Sequence, residues 1–219
     1  MKRAASLTRP SLAVVIILNT SILCASFRVS EAQTPAIHIA PSSVADSVLR
    51  GRAGAFGAPR ADGKKHSGVD IVSRQTAMDK TPYKVFAVSE GKIAYVGFNG
   101  DVNKGYGYTV IVDHGNNLYT LYAHLATLAS AGLAKVGQSV EQGAVLGYMA
   151  DLAHGEKSSG NVLAEVVGKY DKIQLHFELF QAPSGRSSTG MISDVKQLDF
   201  QLIDPTDQVK SFGYSVYSD

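Results

Sequence analysis

The sequence predicts an all-β protein whose strands form an antiparallel β-sheet meander. From Gly51 onward, short apolar runs rich in Val, Ile and Tyr alternate with clusters of Gly, Asn and Asp, a pattern typical of strands joined by tight turns. Only residues 126–134 have a helical pattern, which disfavours an α/β fold. The 219 residues, less a targeting segment, suffice for one such domain with its own core.

The N-terminal 32 residues have the features of a signal peptide. Basic residues beginning with Lys2 precede an uncharged stretch, residues 10–27, and the small Ser30 and Ala32 stand where a signal peptidase reads the chain. An uncleaved membrane anchor is the alternative, but polar residues 19–21 interrupt the stretch, which barely reaches the about 20 residues that span a bilayer. We expect cleavage after about Ala32, giving a periplasmic or secreted protein without a stable membrane anchor.

Composition argues against several kinds of partner. Cys24 is the single cysteine and lies inside the predicted signal peptide, so the mature chain is expected to have no thiol and no disulfide. The full sequence carries a formal net charge of +2, and removing residues 1–32 leaves 17 basic and 18 acidic residues, a balance of −1. Because no basic run or patch is visible, neither nucleic acid nor anionic lipid is expected as a partner.

The chain after the signal peptide is predicted to contain one domain with short flanks. Residues 33–50 mix Pro, Ser and small residues, which indicates a lead-in segment rather than a domain. The strand-like pattern begins at residue 51 and continues to about residue 210. We therefore expect the domain to comprise residues 51–210, followed by a C-terminal tail, residues 211–219.

Within this domain, two β-hairpins are predicted. The first joins the apolar runs 83–88 and 92–96, and the second joins 108–114 and 118–124 through the turn residues 115–117. Glycines recur between residues 136 and 147, which predicts a tight turn followed by a strand that returns to the sheet.

Two fragments of strand-like sequence each carry candidate ligands. In the first, His66 and Asp70 are four residues apart in an extended segment, so their side chains lie on one face. In the second, Gln174 and His176 share a face, and the alternate residues on the opposite face are apolar; these are Leu175, Phe177 and Leu179.

A third fragment contributes His124. Strict alternation along an extended strand places Tyr122 and His124 on one face and Leu121, Ala123 and Leu125 on the other. We therefore expect a packed face and a polar face on this strand as well.

Two neutral imidazoles and one carboxylate are a suitable ligand set for Zn²⁺. Three protein ligands leave a fourth position for water, which is the arrangement of catalytic rather than structural zinc sites. Such an ion lowers the pKa of its water toward about 7 and polarises a scissile carbonyl. The alternative is that these histidines are scattered on solvated strand faces, and spacing alone does not decide between the two.

The stretch from residue 51 to about residue 208 resembles the lysostaphin-type (LytM-like) zinc metalloendopeptidase domain, whose members cut peptide cross-links of bacterial peptidoglycan. The matching strings include His66-Ser67-Gly68-Val69-Asp70-Ile71, Leu121-Tyr122-Ala123-His124-Leu125 and Leu175-His176-Phe177-Glu178. Further matches in the same order lie at residues 56–57, 81–88, 91–93, 105–107, 110–115, 136–138, 143–147 and 204–205. The resemblance implies a β-sheet that forms a groove for a peptidoglycan peptide.

Carried over to this sequence, the resemblance implies that His66, Asp70 and His176 bind zinc. It also implies that His124 assists catalysis, orienting the water that the zinc activates or stabilising the oxyanion. Where the family normally has another histidine, two residues before the last ligand, this chain has Gln174. Glutamine can donate a hydrogen bond but cannot accept a proton near neutral pH. Either His124 alone serves as the base and activity is reduced, or the domain holds zinc without cutting.

Two insertions relative to the family border the expected groove. Residues 148–172 replace a short turn and carry His154, which could replace the missing imidazole, although an exposed loop histidine is commoner. The longer insertion is expected to narrow or redirect the choice of substrate. Residues 73–80 form the other insertion and are expected to form a groove wall.

Four other residues have both a functional and an ordinary interpretation. Glu178 shares the face of His176 and could orient it, or it could be solvated. Arg60 precedes His66 and could bind a substrate carboxylate, although a surface arginine is favoured. Tyr106 could line the groove or pack as a half-buried strand residue, and His114 is expected to be a turn residue rather than a ligand.

The sequence leaves three functional classes to compare. The first is an exported zinc peptidase, and the second is a zinc-retaining module that binds cell wall or activates a partner hydrolase. The third, a lipoyl-type carrier, is suggested by the strand–turn–strand at 136–146, but no modifiable lysine stands in a Met-Lys-Met-like turn. No serine lies in a Gly-x-Ser-x-Gly elbow either, so a serine hydrolase is not supported.

Overall fold

A computed structural model describes residues 37–38, 40–45, 47–61, 63–73, 83–101, 104–126, 130–150, 174–182 and 201–217. All of them belong to the compact unit Thr34–Asp219. The predicted signal peptide, His154 with nearly all of the longer insertion, and residues 74–80 of the shorter one lie outside the described residues.

The described residues are built almost entirely of β-strands. The strands are β1 (Ser47–Arg50), β2 (Val69–Ser73), β3 (Lys84–Phe86), β4 (Gly91–Asp101), β5 (Lys104–Asp113), β6 (Leu118–Leu125), β7 (Ser139–Val140), β8 (Val145–Tyr148), β9 (Gln174–Gln181), β10 (Gln201–Ile203) and β11 (Val216–Tyr217). A 3₁₀ turn (Arg52–Gly54) follows β1, and a short helix, α1 (Thr206–Ser211), precedes β11. No helix among the described residues is both long and apolar enough to span a bilayer.

Nine strands form one sheet in the order β11-β1-β2-β9-β6-β5-β4-β7, with β10 also paired to β9. The pairs are antiparallel except that β1 runs parallel to β11. Strands β3 and β8 form a separate two-stranded sheet. The predicted all-β antiparallel fold is therefore confirmed.

The main sheet has two unequal faces. One face joins the small sheet in a large apolar core that includes Leu175, Phe177 and Leu179 of β9, as the alternation predicted. The opposite face carries a smaller cluster around Ile111, Tyr119 and Phe180. Because neighbouring residues of a strand point to opposite faces, the face with the smaller cluster is also the face of His176.

The predicted hairpin at residues 108–124 is confirmed, whereas the one at residues 83–96 is wrong. Strands β5 and β6 pair through a tight turn in which Asn116 and Asn117 have positive φ angles of 51° and 62°. Strand β3 instead pairs with β8, and β4 pairs with β5 and β7. Val88, two residues after β3, donates its backbone N–H to the buried hydroxyl of Tyr122 at 3.0 Å.

The segment 136–147 supplies strands to both sheets rather than one returning strand. Strand β7 pairs with β4 in the main sheet, and β8 pairs with β3 in the small sheet. Of the predicted helix 126–134, residues 127–129 lie outside the described residues; Ser130 is helical and residues 131–134 form turns.

Both predicted flanks contribute strands next to the candidate site. Strand β1, from the lead-in segment, pairs with β2, and β11, from the predicted tail, pairs with β1. The hydroxyl of Tyr214 donates to the Ser42 carbonyl at 2.7 Å and ties the two segments together. The main sheet continues beyond residues 51 and 210 on both sides. The domain limits at these two residues stay a prediction.

Candidate functional site

The structure brings His66, Asp70 and His176 together on one face of the main sheet. Asp70 on β2 is the direct partner of His176 on β9, and His66 lies in the segment that leads into β2. His66 Nε2 lies 2.9 Å from His176 Nδ1 and 3.2 Å from Asp70 Oδ1, and His176 Nδ1 lies 3.0 Å from Asp70 Oδ1. All three residues are buried.

The hydrogen bonds of both imidazoles show which nitrogen carries a lone pair. His66 Nδ1 is 2.9 Å from the Ala55 carbonyl, and His176 Nε2 is 2.9 Å from Glu178 Oε1. Carbonyl and carboxylate oxygens only accept hydrogen bonds, so these two nitrogens carry the protons. In the neutral form of each ring, the lone pair then lies on His66 Nε2 and on His176 Nδ1, and these two atoms face each other and Asp70 Oδ1.

Three lone-pair atoms within 3.2 Å of one another need a cation or an extra proton between them. With metal–nitrogen distances of about 2.0–2.1 Å, tetrahedral zinc would hold its ligand atoms roughly 3.3 Å apart. Among the described residues, the only group of three with metal-ligating geometry is this one. The donor set and its spacing thus fit a zinc ion.

In the absence of a metal, ion pairing within the cluster supplies the positive charge. Burial opposes the charged form of His176, but hydrogen bonds from its ring to Asp70 and Glu178 outweigh burial and raise its pKa to about 9. Burial likewise opposes ionisation of Asp70, and its bonds with His176 and His66 nevertheless hold its pKa well below the usual range. The cluster is therefore built around an ionised carboxylate and a positive charge.

His124 lies on the same face, and a β-bulge places it there. Tyr122 pairs with Val110 and Leu125 with Tyr108, so Ala123 and His124 together oppose Thr109 alone. His124 has a φ of +61°, a left-handed conformation that is uncommon for residues other than glycine. The bulge breaks the alternation, and Leu125 joins Tyr122 in the main core.

The expectation that Tyr122 and His124 share a face is therefore wrong. Tyr122 points into the main core, whereas the His124 ring lies on the site face with its centroid 5.9 Å from that of His176. An extra residue in one strand re-aims the side chains that follow it. The sequence pattern gave no signal for this extra residue.

The His124 ring is neutral and has an unused nitrogen. Its Nδ1 is buried and makes no hydrogen bond with the described residues. Burial and the nearby positive charge of His176 together lower the pKa of His124 to about 4. At neutral pH the ring can thus accept or donate a proton at a position beside the three-residue cluster.

Gln174 is the first residue of β9 and lies where β9 and β6 separate. It pairs with Val72 on one side and with Ala150 on the other. Ala150 in turn donates its backbone N–H to the His124 carbonyl at 3.0 Å. The backbone of residue 150 therefore lies between Gln174 and His124, which are not direct cross-strand partners.

Glu178, Tyr106 and Ser67 are site residues that the sequence left undecided or did not single out. Glu178 is 1% exposed, so the solvated alternative is wrong. It accepts hydrogen bonds from His176, from Tyr106 at 2.6 Å and from Ser67. The two-residue period from His176 was the available signal for Glu178; nothing in the sequence linked Tyr106 to it.

Arg60 also reaches the site, whereas His114 does not. The Arg60 guanidinium is 3.9 Å from Asp70 Oδ2, and its side chain is 33% exposed. His114 lies at the end of the β5–β6 hairpin, where its Nδ1–H donates to the Glu90 carbonyl and its Nε2 is 2.7 Å from Thr120 Oγ1. His114 thus has a structural position, as expected.

Comparisons with known proteins identify a family for most of this region. Residues 64–186 match the family described as Peptidase family M23. This match spans more than half of the 219 residues and includes His66, Asp70, His124, Gln174 and His176. No curated protein sequence matches the chain.

Several solved structures are similar to the chain at low sequence identity. A protein designated glycyl-glycine endopeptidase lytM from Ruminococcus gnavus is 19% identical with a TM-score of 0.44, over 69% of this chain and 49% of that one. The catalytic domain of the prophage-encoded M23 protein EnpA from Enterococcus faecalis is 21% identical with a TM-score of 0.46, over 77% and 95%. The antimicrobial peptidase lysostaphin from Staphylococcus simulans is 18% identical with a TM-score of 0.46, over 82% and 56%. The chain thus spans about half the length of the first and the last of these.

Proposed function

Since this chain belongs to peptidase family M23, we propose that it is an exported zinc metalloendopeptidase that hydrolyses peptide cross-links of bacterial peptidoglycan. The observation that carries the proposal is the convergence of three lone-pair atoms, from His66, Asp70 and His176, within 3.2 Å of one another. Export is supported by the N-terminal sequence pattern, which predicts a signal peptide.

In this proposal the three converging residues hold the zinc, and each has a partner that orients it. His66 is oriented by the Ala55 carbonyl and His176 by Glu178, while Asp70 is flanked by Arg60. When bound, zinc would supply Lewis acidity toward a peptide carbonyl and lower the pKa of a coordinated water. The ligand residues themselves need only stay deprotonated at the atoms that face the ion.

His124 is the proposed acid–base residue. Its pKa of about 4 keeps the ring neutral at physiological pH, and its Nδ1 has no competing partner among the described residues. A neutral imidazole can accept a proton from an attacking water and return one to a leaving amine. The bulge at residue 124 holds this ring on the site face, close to His176.

Arg60 is the proposed contact for a negative group of the substrate. One of its guanidinium nitrogens faces Asp70, and about a third of its side chain is open to solvent. Guanidinium groups bind carboxylates through two parallel hydrogen bonds, and peptides of the cell wall carry such groups. The surface alternative considered for Arg60 does not account for its position beside a proposed ligand.

A second function is a module that holds zinc and binds cell-wall peptide, or activates a partner hydrolase, without cutting. The observation that favours it is Gln174 on β9. The family normally has a histidine at this position, so in this chain no second imidazole is present there to assist His124. General acid–base help contributes about 10² to 10⁴ in rate, so losing one of two cooperating imidazoles could leave the domain inactive.

A single assay separates the two functions. Purified mature chain, loaded with one equivalent of zinc, is incubated with peptidoglycan, and newly released amino groups are counted with and without a chelator. Chelator-sensitive release supports the peptidase. Tight zinc binding together with sedimentation on peptidoglycan, but no release, supports the binding module and contradicts the peptidase. Absence of zinc binding contradicts both.

A further inference from the structure

We propose that Glu178 is a positioning residue for the metal centre, held in place by Tyr106 and Ser67. Its carboxylate fixes the His176 ring in the tautomer and orientation that turn Nδ1 toward the ion. The inference deepens the proposed function and rests on it only for the presence of zinc. It concerns groups of this chain that do not themselves face the ion.

One oxygen of Glu178 gathers three donors. Glu178 Oε1 lies 2.9 Å from His176 Nε2 and 2.6 Å from the Tyr106 hydroxyl, and Ser67 Oγ donates to the same atom. The residue is 1% exposed. A buried carboxylate is tolerated when hydrogen bonds compensate for lost water, and these three contacts supply that compensation.

Because a carboxylate oxygen can only accept, the Glu178 contact keeps a proton on His176 Nε2, and when the ring gives up one proton to bind an ion that proton leaves from Nδ1. The Nδ1 lone pair is then available on the side of Asp70 and His66. A neutral imidazole without such a partner can exchange tautomers and rotate, and each wrong state withdraws the ligand atom. Carboxylate partners of ligand histidines both fix the ring and raise its basicity.

Tyr106 and Ser67 connect this carboxylate to the rest of the site. Tyr106 lies on β5, and its ring packs on that of His176 with a centroid distance of 5.2 Å. Ser67 directly follows His66 in the chain, and its Oγ also lies 3.1 Å from the Tyr106 hydroxyl. The Glu178 network therefore links the segments that carry both histidine ligands to the β4–β5 hairpin.

Gly68 allows this close assembly. A Cβ atom at residue 68 would lie 2.1 Å from the Phe177 carbonyl oxygen and 2.8 Å from Glu178 Cγ. A side chain there would push β9 away at the point where His176 and Glu178 stand. The backbone of residue 68 thus packs directly against the strand that presents the network.

The test measures zinc affinity rather than turnover. Zinc dissociation constants are determined by competition with a chromophoric chelator for the full mature chain and for Glu178→Gln, which keeps an acceptor but removes the charge. Loss of an outer partner of a ligand histidine typically weakens metal binding about 10- to 100-fold, and that is the expected range. The matched control is Glu141→Gln, at an exposed turn, which should bind as the wild type does.

A second variant keeps the proposal testable if Glu178→Gln does not fold. Tyr106→Phe removes one donor and keeps the ring packing, and we expect about 2- to 10-fold weaker zinc binding from the loss of one hydrogen bond to a charged group. Tyr95→Phe, on the same hairpin, loses a hydrogen bond to the Phe98 carbonyl rather than to Glu178 and is its control. Melting curves of the zinc-free proteins establish that each variant is folded.

A spectroscopic readout distinguishes positioning from a merely structural role. In zinc-loaded protein with ¹⁵N-labelled histidine, the Nε2–H of His176 should give a strongly downfield proton signal that disappears or shifts in Glu178→Gln. Variants that bind zinc as tightly as their controls, with that signal unchanged, would overturn the inference. Wild-type zinc binding without peptidoglycan cleavage would leave it standing while contradicting the peptidase, and a wild type that binds no zinc would overturn both.

Discussion

Strands β9 and β6 lie side by side and present their functional histidines in different ways. On β9, His176 and Glu178 follow regular alternation, with the residues between them in the main core. On β6, His124 reaches the same face only through a bulge and a φ of +61°. The regular strand supplies one proposed ligand and its hydrogen-bond partner, and the irregular one adds a group beside them.

This difference suggests a division of roles. The residues proposed as ligands are tied by hydrogen bonds to one another and to neighbours, as a metal site requires. His124 instead has a buried nitrogen without a partner among the described residues. Residues held in sparsely populated backbone conformations cluster at functional sites, which favours a chemical rather than a structural role for His124.

The largest expected effect is loss of zinc binding when a proposed ligand on or next to β2 or β9 is replaced. His66→Ala, Asp70→Ala and His176→Ala should each abolish stoichiometric zinc binding, because two remaining ligands do not complete a zinc site. Bound metal is measured by mass spectrometry of the folded, dialysed proteins. His38→Ala, at an exposed histidine, is the control and should retain one zinc per chain. If all three ligand variants also retained one zinc per chain, these residues would not be the zinc ligands.

Next in size is the effect of His124→Ala, which should distinguish the role of β6 from that of β9 most clearly. Zinc binding should be unchanged, while the rate of peptidoglycan cleavage should fall by about 10² to 10⁴, the usual contribution of general acid–base catalysis. Because alanine also strains a left-handed backbone, His124→Gly is the control for the backbone. Equal rates for wild type and His124→Gly would contradict the proposed role.

Gly68→Ala should destabilise the fold by about 1–3 kcal/mol, the usual cost of overpacking, because its Cβ would meet the Phe177 carbonyl oxygen at 2.1 Å. Urea denaturation measures the change. A Gly68→Ala variant as stable as the wild type would show that the backbone at residue 68 does not pack closely against β9.

Gln174→His tests whether the second imidazole can be restored. If the domain is an attenuated peptidase, the added imidazole should raise turnover by up to about 10², within the range for acid–base help. Gln174→Asn should not raise it. An unchanged or lower rate for the histidine variant would indicate that the segment around Ala150, which pairs with Gln174, has rebuilt the site in another way.

The smallest effect concerns His114, which has no role in the site. Burial lowers its pKa in the folded protein, so the unfolded chain binds a proton more readily as the pH falls. Its contribution to stability is therefore complete above its ordinary pKa of about 6.5 and is lost as the pH falls from that value through the lower pKa of the folded protein. His114→Gln should show a smaller drop in melting temperature between pH 7.5 and pH 5.5 than the wild type; an equal drop would contradict this role.

The sequence predicted the regular parts of the fold and site, because alternation is a local property. The fold class, the β5–β6 hairpin and the apolar face of β9 depend on short-range patterns. Resemblance to the lysostaphin-type family identified residues that the structure then brings together, and the family itself is confirmed.

The parts that could not be predicted depend on long-range contacts. The hairpin expected at residues 83–96 is wrong because β3 pairs with β8, far along the chain. The bulge at His124 and the Tyr106–Glu178 contact join residues on different strands. Neither has a signature in local sequence.

The most direct test of the account is X-ray absorption at the zinc edge of the zinc-loaded mature chain. We expect one zinc with two imidazole nitrogens and a carboxylate oxygen at about 2.0–2.2 Å, and loss of one imidazole contribution in His176→Ala but not in His124→Ala. A spectrum without imidazole scattering, or one that changes with His124 and not with His176, would contradict it.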